Sequence, residues 1–193
     1  MFYNFVVGLV RLYLHIIYRI RVVGEENVPK DGGLIICSNH RSNMDPVLIG
    51  CFTMRRLNFM AKKSLLKVPV LGFILKHLGV FPVNRNIADI SAIKASFHVL
   101  KNNGALNMYP EGKRSKDGKL HPFKSGASMI ALKSGAKILP ACVRGNYKLF
   151  SKMEIVFGQP IDPKNLVNDS TDESIEKVNN VLYESIKSLL GEE

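Results

Sequence analysis

Apolar and polar positions recur along the chain in two periods, and the switches between them mark out its elements. Residues Phe2 to Ile20 are mostly apolar, but Asn4, Gly8, Arg11, His15 and Arg19 interrupt them at steps of four, three, four and four. On a helix this spacing draws one narrow polar stripe beneath a wide apolar face. Short apolar runs of the kind that form buried strands follow at Arg21–Val23, Leu34–Cys37, Leu57–Ala61, Val80–Val83, Ala105–Tyr109, Ile138–Val143 and Glu154–Phe157. Helical periods alternate with them. Ile90, Ile93, Phe97 and Leu100 recur at three, four and three, and Ile175, Val178, Leu182, Ile186 and Leu189 follow Ser170 and Glu173, a capping-box pair. The alternation predicts an α/β fold: a single layered domain with a mixed or largely parallel sheet flanked by helices. Gly24 to Gly33 reads as a turn-rich connection, and Pro160 to Asp172 as a surface loop.

The N-terminal segment fits neither a signal peptide nor a spanning helix. Its basic residues lie within the apolar run, no small-residue cleavage site follows, and Arg11 at mid-membrane would cost roughly 2.5 to 3.5 kcal/mol. Its apolar arc is wider than a globular core requires, so residues 1–20 are expected to form an interfacial amphipathic helix on a domain of residues 21–193. The alternative is a core helix with its polar stripe toward solvent.

Length and composition support one domain: the chain has 193 residues and is 46% hydrophobic. With 27 Lys and Arg against 16 Asp and Glu, its net charge of +11 favours anionic partners such as lipid surfaces, phosphorylated substrates, acidic carrier proteins or nucleic acid. Nucleic-acid binding has no motif behind it, because the chain lacks zinc-finger spacing, an aromatic recognition ladder and a basic zipper helix. Cys37, Cys51 and Cys142 lie far apart in apolar contexts without metal-ligand spacing. They read as reduced core residues, which points to a cytosolic environment and no structural metal.

The candidate chemistry begins at the end of the second strand, where His40 precedes Asp45 by five residues. Five residues on a helix point roughly 140° apart, so the two side chains meet only if the chain leaves the strand through a tight loop. Ser42 and Asn43 suit such a loop. Asp45-Pro46 then opens an apolar helix through Phe52, with Asp at the cap and Pro at the first helical position. A carboxylate beside an imidazole fixes its tautomer and supports its protonated form, giving a base; the simpler reading is a helix cap next to a loop histidine.

Cations gather at other strand ends. Tyr109-Pro110-Glu111-Gly112-Lys113-Arg114-Ser115 follows one strand, Lys62 and Lys63 follow another, and Arg85 ends a third. Lysine offers a point charge and arginine a planar fork, both suited to phosphate. Phe123-Lys124-Ser125-Gly126-Ala127 starts a helix whose amides can add to an anion site. There is no GxSxG elbow and no Walker or GxGxxG loop, so neither a serine acyl-enzyme nor ATP or a dinucleotide is indicated. A base without its own nucleophile fits direct attack by a substrate hydroxyl.

Together these blocks resemble the 1-acyl-glycerol-3-phosphate acyltransferase family of glycerolipid acyltransferases. Asn39 to Asp45 is similar to the family's HxxxxD block, Gly79-Val80-Phe81-Pro82-Val83-Asn84-Arg85 to the second, Tyr109 to Ser115 to the FPEGTRS block and Ile138-Leu139-Pro140-Ala141 to the fourth. Tyr109 stands where Phe is usual and Lys113 where Thr is common. After Val143 no family motif is recognisable.

The resemblance implies transfer of a fatty acyl group from an acyl thioester, carried by coenzyme A or acyl carrier protein, to the 2-hydroxyl of lysophosphatidic acid. It implies His40 as base with Asp45 orienting it. Arg114, Lys62 and Arg85 would hold the phosphate in a pocket shaped by Glu111 and Gly112, with no metal and no cofactor. The expected setting is the anionic, cytoplasmic face of the cell membrane, bound peripherally or monotopically. Acylation of glycerol-3-phosphate or another lysophospholipid is the alternative within the family, and a non-catalytic anionic-lipid module the alternative outside it.

Overall fold

The computed structural model describes residues 2–84, 89–167, 169 and 171–191. Its strands are β1 (Arg19–Val23), β2 (Leu34–Ser38), β3 (Leu57–Lys62), β4 (Val80–Val83), β5 (Ala105–Met108), β6 (Lys137–Gly145) and β7 (Lys152–Phe157). Its helices are α1 (Phe2–Ile17), α2 (Asp45–Phe52), α3 (Leu71–His77), α4 (Ile90–Lys101), α5 (Gly126–Ser134) and α6 (Asp172–Leu190). The seven strands form one sheet in the order β1-β7-β6-β2-β5-β3-β4. All neighbours pair parallel except β6 with β7. The sheet is therefore mixed and mostly parallel, as the apolar runs predicted.

Alternate residues of the central strands feed two cores. Leu34, Ile36, Leu139, Ala141 and Val143 pack with Leu14, Leu48, Ile49 and Phe52 under α1 and α2. Ile35, Cys37, Leu106 and Ile138 pack with Leu100, Ile130, Val178, Leu182 and Ile186 under α4, α5 and α6. Every residue of β2 is buried, because both faces of a parallel strand are covered by helices. Two further strand ends flank β2: β5 on one side and β6 on the other. That crevice, at the carboxyl ends of the strands, is where open α/β sheets place ligands.

Several boundaries differ from the sequence reading. α1 stops at Ile17, and Arg19 lies on β1, paired with Lys152. Pairing with β7 outweighs one more turn of helix. At α2 the cap is Met44 rather than Asp45, whose carboxylate is occupied elsewhere. α6 is capped by Thr171, which accepts from the Ser174 amide; Ser170 lies outside the described residues. The segment from Pro160 to Asp172 is not simply a surface loop. Ile161 bridges Ile138 of β6, and Pro163 is buried at the start of a 3-10 turn.

The polar stripe of α1 stays exposed, but two of its residues, Arg11 and His15, reach across to α2. Arg11 Nε donates to the carbonyl of Cys51 at the end of α2 at 2.9 Å, and its guanidinium sits 5.3 Å from the Phe52 ring centre. His15 meets the same ring edge-on. Val7, Val10, Leu14 and Ile17 face the core, which leaves Phe5, Leu9, Leu12, Tyr13 and Ile16 exposed. Among the described residues no helix is long and apolar enough to cross a membrane.

Candidate active site

The loop leaving β2 turns back so tightly that His40 Nδ1 lies 2.9 Å from Asp45 Oδ2. The same oxygen accepts from the amides of Arg41 at 2.7 Å and Ser42 at 2.8 Å. Asp45 thus folds the loop around itself instead of capping α2, while the Ser42 hydroxyl accepts from the Met44 amide. An ionised carboxylate offers only acceptors. Nδ1 must therefore carry the proton, and Nε2 is left with the lone pair.

The next layer holds the histidine in place. The ring of Tyr109 stacks on His40 with centroids 3.9 Å apart and planes 18° apart. The His40 amide donates to Glu111 Oε1 at 2.8 Å, and the His40 carbonyl accepts from the Ser115 amide at 2.7 Å. These two bonds latch the loop after β5 onto the loop after β2. The other Glu111 oxygen accepts from the His121 amide at 3.2 Å. Glu111 is buried, and that burial pushes its pKa above the ordinary carboxylate value although both amide bonds pull the other way. Gly112 closes the turn at φ 73, donating from its amide to the Tyr109 carbonyl. A left-handed backbone favours glycine there, and a Cβ would also meet the Lys124 stem.

The structure brings His40, Asp45, Glu111 and Gly112 together. Arg114 stands on the latched loop between Gly112 and Ser115, exposed, with no hydrogen bond or ion pair to a described residue. Lys62 ends β3, separated from β2 by β5, and is also exposed. Arg85 lies outside the described residues. Beyond Arg114 the loop is fixed by Asp117, which accepts from the Ser115 hydroxyl and pairs with His121 at 3.0 Å. Those bonds, the Ser115 bond foremost, hold its pKa down at about 2.

Sequence reasoning missed two residues of this frame. Asn39 is buried and clamps Val143 of β6 with both ends of its amide, at 2.9 and 3.2 Å. It continues the β2–β6 ladder past Ser38 and fixes where the loop carrying His40 starts. Tyr147, beyond the end of β6, donates its hydroxyl to Asp45 Oδ1. The signal for Asn39 lay in the HxxxxD block; Tyr147 belongs to no motif. Among the described residues no group of His, Cys, Asp and Glu could hold a metal ion. The three cysteines are free and buried, and burial pushes Cys51 up to about 11 and Cys142 up to about 12.

The model of a family described as Acyltransferase matches residues 19–144, the span that contains the dyad and its latched loop. The chain belongs to the acyltransferase family. The 1-acyl-sn-glycerol-3-phosphate acyltransferase of Bacillus subtilis is 28% identical to this acyltransferase over 193 residues, covering 97% of this chain and 96% of that protein. The enzyme of the same name from Borreliella burgdorferi is 34% identical over 145 residues, 72% of this chain, which spans only 56% of its length. The crystal structure of the 1-acyl-sn-glycerophosphate (LPA) acyltransferase PlsC from Thermotoga maritima matches with a TM-score of 0.77 and 27% identity, over 98% of this chain and 81% of that one. The fold of this acyltransferase is thus the one seen there.

Proposed function

We propose that this acyltransferase moves a fatty acyl group from a thioester to the 2-hydroxyl of lysophosphatidic acid, forming phosphatidic acid. The observation that carries the reading is the 2.9 Å bond from His40 to Asp45, beside a basic loop latched to His40 itself. His40 Nε2 takes the proton of the acceptor hydroxyl as its oxygen attacks the thioester carbonyl. The tetrahedral intermediate then expels the thiolate, which recovers the proton from His40. Asp45 stabilises the transient imidazolium, and a base so placed contributes about 10² to 10⁴ in rate.

Arg114, Lys62 and Arg85 are the proposed phosphate ligands. Arg114 is available for the task because no group among the described residues engages it and its loop is fixed at both ends, by Glu111 and by Ser115. Glu111 and Gly112 shape that loop. The donor is an acyl thioester of coenzyme A or of acyl carrier protein.

Residues 1–20 are proposed as a membrane-interface element on an acyltransferase domain of residues 21–193, seated on an anionic, cytoplasmic-side leaflet. Support comes from the outward face of α1, where Phe5 is 70%, Leu9 60% and Ile16 62% exposed. Phe2 contacts His77 edge-on, and His77 packs on exposed Phe73, so α3 extends the same apolar surface. Such a face gains by leaving water for the acyl boundary. The function is tested by mass spectrometry of products from lysophosphatidate, glycerol-3-phosphate and lysophosphatidylcholine, each with palmitoyl-coenzyme A and palmitoyl carrier protein. Phosphatidic acid from lysophosphatidate alone is expected; a different preferred acceptor reassigns the substrate.

A further inference from the structure

The catalytic carboxylate has two oxygens, and the structure accounts for them separately. Oδ2 binds the His40 ring and two loop amides, whereas Oδ1 receives the hydroxyl of Tyr147 from the far side. The two residues are 102 positions apart, so nothing local forces the contact. The Tyr147 backbone adopts φ 55, in the left-handed region that non-glycine residues enter only under restraint. Its loop is held at several points: the Phe150 amide donates to the carbonyl of Ile17 at 2.7 Å, the Arg19 amide to Ser151 at 2.9 Å, and the Tyr18 hydroxyl to the Tyr147 carbonyl at 3.4 Å. All three anchors lie where α1 passes into β1. Such restraint at a functional site marks a residue whose placement matters.

We propose that Tyr147 is a positioning residue for acyl transfer: its hydroxyl fixes the Asp45 carboxylate, and thereby the His40 ring, and draws part of the carboxylate charge away from the imidazole. The inference rests on the proposed base role of His40. The other titratable groups around the pair are Tyr109 on the His40 ring, Glu111 at the His40 amide, and Arg41 and Tyr18 near the Tyr147 hydroxyl. None of these donates a side-chain hydrogen bond to Oδ1. Burial and the adjoining carboxylate both push the Tyr147 phenol upward, so it remains a donor across the working range.

The test is the pH dependence of kcat for Tyr147→Phe, which keeps the ring and removes the hydroxyl. With that donor gone, Asp45 presents more charge to the imidazolium, so the acidic limb of the profile moves to higher pH. Loosened orientation lowers kcat about ten-fold while acceptor KM stays within about two-fold. Incorporating 3-fluorotyrosine at position 147, a stronger donor, moves the limb the opposite way and does not depend on Tyr147→Phe folding well. A folded Tyr147→Phe with an unmoved limb, or a limb indifferent to fluorination, overturns the proposal. If His40→Ala retains activity, the base assignment itself has failed, a result distinguishable from either.

Discussion

Arg11 donates to the backbone carbonyl of Cys51, joining the N-terminal helix to the last turn of α2. A helix end leaves carbonyls without partners, and a cation there satisfies one and complements the helix dipole. Val7, Val10, Leu14 and Ile17 seat α1 on the core, Arg11 ties its polar edge to α2, and a third face with Phe5, Leu9, Leu12 and Ile16 is left exposed. Replacing Arg11 with Met keeps the stem over Phe52 but removes the donor. The expected loss is about 1 kcal/mol, or about 2 to 4 °C in a thermal melt, since the group is partly exposed. An unchanged melting temperature contradicts the capping role.

The exposed side of α1 makes the opposite prediction. Phe5→Ser with Leu9→Ser leaves the fold intact, because both side chains are largely in water already. Each loses an apolar contribution of about 1.5 to 3 kcal/mol to membrane burial. Vesicle co-sedimentation should show the doubly substituted protein released by at least about ten-fold, with an unaltered circular dichroism spectrum.

Glu111 gives a pH signature. Its pKa is raised by burial, so the folded state holds the proton above the usual glutamate value of about 4.3. Stability contributed by the neutral carboxyl is complete below that value and declines as pH rises through the raised pKa. Glu111→Gln cannot titrate but loses a good acceptor for the His121 amide. Melting curves should place the substituted protein below wild type throughout, with the gap narrowing from about pH 4 to pH 7. A gap that widens over that range reverses the sign and refutes the burial argument.

Arg114 has no partner within the described protein, so Arg114→Ala should melt with wild type. A charge-assisted phosphate contact is worth about 1.5 to 3 kcal/mol, which corresponds to a rise of about 10- to 150-fold in KM for lysophosphatidate. Steady-state kinetics at fixed donor concentration measure it, and an unchanged KM removes Arg114 from the phosphate site.

Local, strongly patterned features were legible in the sequence. β2 is apolar without alternation because both its faces are covered, and the strand runs fell within a few residues of their observed limits. The His40–Asp45 pair was legible because one short loop makes it. Periodicity revealed the stripe on α1 but not which side would meet α2, since a period carries no direction. Adjacent cap formers, Ser170 and Thr171, could not be ranked by spacing, and pairing of β1 with β7 ended α1 before Arg19. Tyr147 was invisible because its contact with Asp45 depends on how β6 and the following loop are placed in space.

The proposed mechanism stands on His40 as the base of an acyl transfer. Formation of phosphatidic acid from lysophosphatidate and a palmitoyl thioester, followed by mass spectrometry for wild type and a folded His40→Ala, tests it most directly. Product from wild type with a loss of about 10² or more in the substituted protein is the expected result. Equal product from both would contradict it.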